Sequence, residues 1–327
     1  MIQKSPVKGL LLLSLLCVIC VMTGLLFGSK SLTVHDVWQY FFSTIENYQQ
    51  LVIHHRVPRT LGALLCGAAL GVTSTLVQGL TKNPLADTGL LGINAGASAA
   101  IVTLIFVPSL PISPFFAAFL GAVCVASFIS VIGSSSRELN FARLILVGAA
   151  LSACLYAYVQ AVSQLSPNAF EQYKFWASGS FTGIRYEEIY QLSPYFVALI
   201  IMGGMLGKYV NIIALGNDLA RSVGVNVFLI QIFIICTSAG LSALTVAWVG
   251  PIAFVGLGAV YLARWVVGAD YRVLLWASML TGASLLTLAD TLARIVISPS
   301  ELSTGIVTGF IGAPLLYLSI LHKRKGR

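Results

Sequence analysis

The residues able to do chemistry are few and scattered, so their spacing decides what they can be. A phosphate cradle needs glycine-rich backbone ahead of a Gly-Lys-[Ser/Thr] triplet. The single Gly-Lys pair is Gly207–Lys208, which is followed by Tyr209 and preceded at the required distance by Met202, so the chain holds no nucleotide-hydrolysing loop of that type. Four histidines, His35, the adjacent His54 and His55, and His322, lie at ends and in loops without Cys or carboxylate at metal-ligand spacing. Cys17 and Cys20 form a C-x-x-C inside an apolar run, with no basic, His or acidic neighbour to lower a thiol pKa. They read as small hydrophobes. A proton or sodium relay would place an ionisable group at mid-membrane. Asp290 is the one acidic residue well inside an apolar run, and Arg294 stands one helical turn away at i+4 to neutralise it. No catalytic residue, metal site or cofactor is expected, and an ion-gradient-driven carrier is the weaker alternative. Uncharged polar residues do enter the apolar runs: Thr73 and Gln78 in one, Gln160, Ser163 and Gln164 in another. They are candidates for lining a translocation path.

The elements that carry these residues follow from composition. Of 327 residues, 57% are hydrophobic and 9% charged, against about 25% charged in soluble domains. A water-solvated surface cannot be assembled from that inventory. Continuous apolar stretches of about 17–25 residues recur, each long enough to cross a hydrocarbon core of about 30 Å. Their continuity indicates helices rather than barrel strands, since in lipid every backbone polar group needs an internal partner. Ten spans are expected, over 10–27, 60–80, 90–106, 115–131, 142–162, 192–206, 227–249, 253–267, 274–296 and 305–321. The fold class is therefore all-α, a polytopic membrane helical bundle, and the whole of 1–327 reads as one domain with membrane lipid as its solvent. The first run, preceded by Lys4 and Lys8, reads as a span and not as a cleaved signal, because no small-x-small site follows it.

Ten spans put both termini on one side, and the basic tail at 322–327 marks that side as cytoplasmic. With this assignment thirteen of the 19 Lys and Arg fall on the cytoplasmic side, including Lys4, Lys82, Arg137, Lys208 and Arg327. The opposite set is Lys30, Arg56, Arg59, Lys174, Arg185 and Arg294. The net charge of +8 expresses this bias and does not point to nucleic acid. Gly67-x3-Gly71, Gly92-x3-Gly96 and Gly203-x3-Gly207 predict close helix–helix packing. A short interfacial helix is expected within 29–55 and a half-length helix over 170–176.

Several blocks carry a resemblance. They are Arg56-Val-Pro-Arg59-Thr-Leu-Gly, Gln78-Gly-Leu-Thr-Lys-Asn83-Pro84-Leu85-Ala86-Asp87, Phe175-Trp176-Ala-Ser-Gly179, Leu215-Gly216-Asn217-Asp218-Leu-Ala-Arg221-Ser-Val-Gly224, Gly250-Pro251-Ile-Ala-Phe254-Val-Gly256 and Ile311-Gly312-Ala313-Pro314. In this order, from about 56 to 314, they closely resemble the FecCD-type permeases of iron-siderophore, haem and cobalamin ABC importers, most of all the ferric catecholate permeases. The resemblance implies ten transmembrane helices per subunit, the type II importer arrangement. It also implies a pore made with a second permease subunit, identical or paralogous, two cytoplasmic ATPase subunits and a periplasmic substrate-binding protein. The cargo would be a ferric siderophore, or alternatively haem or cobalamin, crossing the bacterial inner membrane. Two departures stand out: Val260–Tyr261 replaces the family's Pro-His, and Thr88 replaces a common Pro.

Roles follow by position. Asn83, Pro84 and Leu85 join spans two and three, where Pro84 breaks the helix; they resemble the family's cytoplasmic gate, or form a plain connecting turn. Ser166, Pro167 and Asn168 occupy the outer-gate position. Within the cytoplasmic segment 211–226, Leu215, Gly216, Asn217, Asp218, Arg221 and Gly224 resemble the ATPase-coupling element, a short helix capped by Asn217 and ended by Gly224. Arg56, Arg59 and Arg294 break the charge bias at outer span ends. In the family, matching arginines meet acidic residues on the binding protein, although interfacial anchoring by snorkelling would also place them there.

Overall fold

The computed structural model describes residues 6–42, 47–135, 138–139 and 141–325; Lys4, Arg137 and Arg327 of the charge map lie outside the described residues. Among these residues run fourteen α-helices. They are α1 (Pro6–Leu26), α2 (Val34–Phe42), α3 (Tyr48–Thr81), α4 (Ile93–Phe106), α5 (Pro114–Gly133), α6 (Phe141–Leu165), α7 (Pro167–Ala177), α8 (Tyr186–Met205), α9 (Gly207–Leu215), α10 (Asn217–Ser222), α11 (Val227–Val249), α12 (Val255–Val267), α13 (Tyr271–Ile295) and α14 (Thr304–Lys325). A two-residue antiparallel ladder, Ser134–Ser135 with Glu138–Leu139, ties off the link between α5 and α6. Each of the ten expected spans coincides with one helix: α1, α3, α4, α5, α6, α8, α11, α12, α13 and α14.

Six of these helices are long and apolar enough to cross a membrane alone, and α8 with α9, bent by 42° at their junction, makes a seventh. The others, α4, α12 and the stretch of α14 to Pro314, are shorter. For α4 and α12 the neighbouring chain explains the shortfall. Asp87, in the segment after α3, accepts a hydrogen bond from Ser74 Oγ at 2.8 Å. Ser74 lies seven residues before the end of α3, so this segment folds back roughly 10 Å along the helix before α4 begins. Likewise the non-helical residues 250–254 follow the end of α11, and Phe254, left-handed at φ 67, starts α12 beside Gly312 of α14. Irregular backbone at such depth is tolerated only where protein covers it.

The centre of the bundle is α3, wrapped by α13, α11, α12, α8, α9 and α1. Glycines set the spacing. A Cβ at Gly67 would meet the carbonyl of Gly282, and one at Gly71 that of Ser278, so α3 and α13 cross at backbone distance. Gly96 lies against Gly121 of α5, and Gly203 and Gly207 against α3 and α13. All three glycine motifs thus serve packing within the chain. Cys17 and Cys20 are buried and free. Cys124, Cys154 and Cys236 instead face outward from the bundle.

The bundle has two distinct ends. One gathers the start of α1, the end of α3, α9, α10, the end of α12 and the start of α13, since Gly9 meets Val267 and Gly79 meets Val210 and Tyr271. The other gathers the end of α1, α2, the start of α3, α7 and the end of α13. Gly305, at the head of α14, rests there on the Ser178 carbonyl.

Candidate transport sites at the two ends of the bundle

At the α7 end the three expected arginines converge on two carboxylates. Arg59, one turn after Arg56 on α3, grips Asp290 of α13 bidentately, Nε at 2.9 Å from Oδ2 and Nη2 at 2.9 Å from Oδ1. Its Nη1 donates to Glu301 at 2.7 Å. Arg294 lies 3.3 Å from Asp290 through Nε and donates from Nη2 to the Gly24 carbonyl at 2.9 Å. Arg56 closes the end of α1, donating to the carbonyls of Leu25, Leu26 and Lys30. Thr304 Oγ1 adds a fourth bond to Asp290 at 2.9 Å, fixing the start of α14. The i+4 pairing of Asp290 with Arg294 is present, but the dominant partner is Arg59, 231 residues away in sequence.

Arg56, Arg59 and Arg294 retain only 5%, 7% and 3% of their exposure in the single chain. Each is committed inward, because a buried guanidinium in an apolar bundle requires partners. Three cations against two carboxylates still leave the cluster with one positive charge in excess. Glu301, a third exposed, stands at its mouth, where Thr182 Oγ1 also donates to it at 3.2 Å.

The path-lining candidates separate into two groups. Thr73 and Gln78 sit on α3 inside the helix packing, 0% and 3% exposed, and Gln78 accepts from Arg264 of α12 at 3.4 Å. In the single chain both are enclosed by the neighbouring helices. Their neighbour Thr75 behaves alike, donating to the Gly71 carbonyl and meeting Ser278 Oγ at 2.6 Å. Polar side chains in spans are commonly satisfied in this local way. On α6, by contrast, Gln160 and Gln164 are exposed along one face, while Ser163 is buried between α6 and its neighbours.

The two gate candidates are turns. After α3, Lys82 adopts φ 53, and Asn83 Oδ1 accepts the amide of Leu85 at 3.0 Å, a local Asx turn that leaves Asn83 and Leu85 exposed. Ser166 caps α7 by accepting from the Ala169 amide at 3.3 Å, with Pro167 at the first helical position and Asn168 exposed.

In the segment 211–226 the expected short helix is α10. Its cap is Gly216 at φ 134, so Asn217 is the first helical residue and not the cap. The capping asparagine is Asn226, which accepts from the Leu229 amide at the head of α11. The other end is as expected. Gly224, at φ 80, donates to the Arg221 carbonyl at 2.9 Å, and Val225 donates to Ala220 at 3.0 Å, the paired closure of a Schellman motif. Leu215, Leu219 and Val223 project outward at 74%, 59% and 66% exposure, at four-residue spacing. The ridge is held by Asn211, which donates to Asp270 at 2.6 Å and accepts from the Tyr271 amide. That bond, with the Arg272 amide, holds the Asp270 carboxyl below the usual carboxylate range. Asn211, Asp270 and Glu301 carry no role legible in the sequence, because their partners lie far away in the chain.

A ten-span bundle with a buried cation cluster at one end and a braced apolar ridge at the other is the architecture of a multi-pass membrane permease. Residues 15–322 match the model of the FecCD transport family, and the chain belongs to that family. It is 37% identical over 331 residues to the ferric enterobactin transport system permease protein FepD of Escherichia coli (strain K12), covering 99% of this chain and 97% of that one. It is 34% identical to the hemin transport system permease protein HmuU of Yersinia pestis, covering 100% and 98%. Among solved structures, an inward-facing metal-chelate type ABC transporter superposes with a TM-score of 0.86 at 30% identity, over 96% of this chain and 99% of that chain.

Proposed function

We propose that this chain is the permease subunit of an ABC importer that carries a ferric siderophore across the bacterial inner membrane, with ATP hydrolysed by partner subunits. The observation that carries the reading is the α9–α10 ridge. Leu215 at the end of α9, Leu219 on α10 and Val223 at its C-cap are exposed apolar residues about a short helix flanked by Gly216 and Gly224, and α9 is braced to α13 through Asn211 and Asp270. Exposed apolar surface of this kind marks a protein contact, and family membership makes a cytoplasmic ATPase subunit the partner.

The rest of the assembly follows. The α10 end, with both termini, is cytoplasmic, and the α7 end is periplasmic. A second permease subunit, identical or paralogous, packs against the apolar outer face that includes α6, and Gln160 and Gln164 border the path between the two. The substrate-binding protein meets the periplasmic end at the mouth of the Arg56–Arg59–Arg294 cluster, where acidic residues of the partner would compete with Glu301 for the excess positive charge. The turns at Asn83, Pro84 and Leu85 and at Ser166, Pro167 and Asn168 act as the inner and outer gates. The whole of 1–327 acts as one permease unit.

The test is reconstitution in proteoliposomes with candidate ATPase and binding protein, comparing ATPase stimulation by binding protein loaded with ferric siderophore, haem or cobalamin. Stimulation by the ferric siderophore, with ATP-dependent uptake, is expected. Greater stimulation by haem or cobalamin would reassign the cargo. Uptake driven by an ion gradient without the ATPase would overturn the reading.

A further inference from the structure

The junction of α8 and α9 opens a wedge in the outer surface of the bundle. Gly203, Gly204 and Gly207 draw this part of the chain inward, because Cβ atoms there would meet Val72 of α3, Trp276 of α13 and the Tyr271 carbonyl. The axis then bends by 42° as α9 begins. On the opposite side the two helices part from α11, leaving a cleft of about 520 Å³. Its walls are apolar: Met202 and Met205 from α8, Ile230 and Phe233 from α11. Met205 and Phe233 are also exposed on the outside, so the cleft opens toward hydrocarbon.

One charge stands at this cleft. Lys208 is exposed, its ammonium lies 4.8 Å from the centre of the Tyr209 ring, and it pairs with no carboxylate among the described residues. It sits at the first turn of α9, at the end of the bundle that carries Lys82 and Arg272, the level of one lipid headgroup layer. An apolar wedge open to the bilayer, with an unneutralised cation at its headgroup end, is complementary to one class of molecule. We infer that the cleft between α8, α9 and α11 binds an anionic phospholipid, its acyl chain against Met202, Met205, Ile230 and Phe233 and its phosphate on Lys208. The flexible methionines suit a chain of variable shape. The occupant would wedge beneath α9, which leads directly into α10, so the bound lipid would support the angle of the ridge.

The experiment uses the full chain purified in mild detergent. Native mass spectrometry and thermal unfolding would be followed on addition of phosphatidylglycerol or phosphatidylcholine. The wild type is expected to retain phosphatidylglycerol and to gain thermal stability from it, with little response to phosphatidylcholine. Lys208→Gln should weaken phosphatidylglycerol retention about fivefold, since one basic residue at a charged membrane surface contributes about 1 kcal/mol, and Lys208→Arg should restore it. Met205→Trp, which fills the cleft while leaving the charge, should also reduce retention. Equal responses to the two lipids, or retention unchanged in both Lys208→Gln and Met205→Trp, would overturn the proposal. The side chains of Lys208 and Met205 are exposed, so these variants should fold, and their unfolding without added lipid would verify it.

Discussion

Helices α3 and α6 are similar in hydropathy and both carry polar residues, yet they live in opposite environments. Of the apolar stretch of α3, 83% is buried; of that of α6, 17%. The difference lies in what each helix can touch. Small residues along α3, Gly67, Gly71, Ala63 and Ala68 among them, let α13 and its other neighbours close on every side. On α6, Leu146, Tyr156, Tyr158 and Leu165 stand outward as large exposed side chains. Polar residues take their meaning from that surround. Thr75 on α3 closes hydrogen bonds to Gly71 and to Ser278 of α13, whereas Gln160 and Gln164 on α6 stand exposed.

The sharpest way to break this comparison is steric. Gly71→Val would drive a branched side chain into the Ser278 carbonyl of α13, and a loss above about 4 kcal/mol, seen as failure to accumulate folded protein in the membrane, is expected. The exposed Ala150→Val on α6 should change thermal stability by less than about 0.5 kcal/mol. Equal damage from both would mean that α6 is packed as tightly as α3.

Next in size is the charge cluster at the head of α3. Arg59→Ala removes the main partner of Asp290 and leaves it Arg294 and Thr304, so a cost of about 3 kcal/mol, the low end for a broken buried pair, is expected in thermal or denaturant unfolding. A single variant as stable as the wild type would show that the pair is solvated.

At the other end, Gly224→Val meets no neighbour within 4 Å, so its only penalty is the left-handed backbone, about 1–2 kcal/mol. Protein levels should hold while ATP-driven uptake falls, measured as radiolabelled iron accumulation in proteoliposomes. Unchanged uptake would separate the α10 ridge from coupling.

The smallest effect concerns Asp270. Its carboxyl is held below the usual range first by the Asn211 side chain and then by the Arg272 amide. A depressed folded-state value means that the stabilisation is present above the usual carboxylate range and is lost as pH falls below it. Asn211→Ala should therefore lower the unfolding temperature slightly at neutral pH, with the gap to wild type narrowing in strong acid. A gap independent of pH would assign the effect of Asn211 to its bond with the Tyr271 amide instead.

The ten spans were legible because each needs only a continuous apolar run, a local property. Gly224 was legible for the same reason, since a helix-ending glycine is read within a few residues. What escaped depends on distant partners. Asp290 had a visible neighbour in Arg294, but nothing local points to Arg59. The burial of Thr73 and Gln78 among the helices was not legible, because a polar residue in an apolar run looks alike whether it faces a path or a helix. The α10 cap moved from Asn217 to Gly216 because Gly216 adopts a positive φ open to glycine, leaving Asn217 inside the helix.

The most direct test of the division between α3 and α6 is thiol accessibility in the assembled, transporting complex. Single cysteines at Gln160, Gln164, Thr73 and Gln78, in a background without the native six, would be treated with a membrane-impermeant maleimide during turnover. Labelling at 160 and 164 that changes with ATP and loaded binding protein is expected, with none at 73 or 78 in any state. Labelling at 73 or 78 that follows the transport cycle, with 160 and 164 silent, would contradict it.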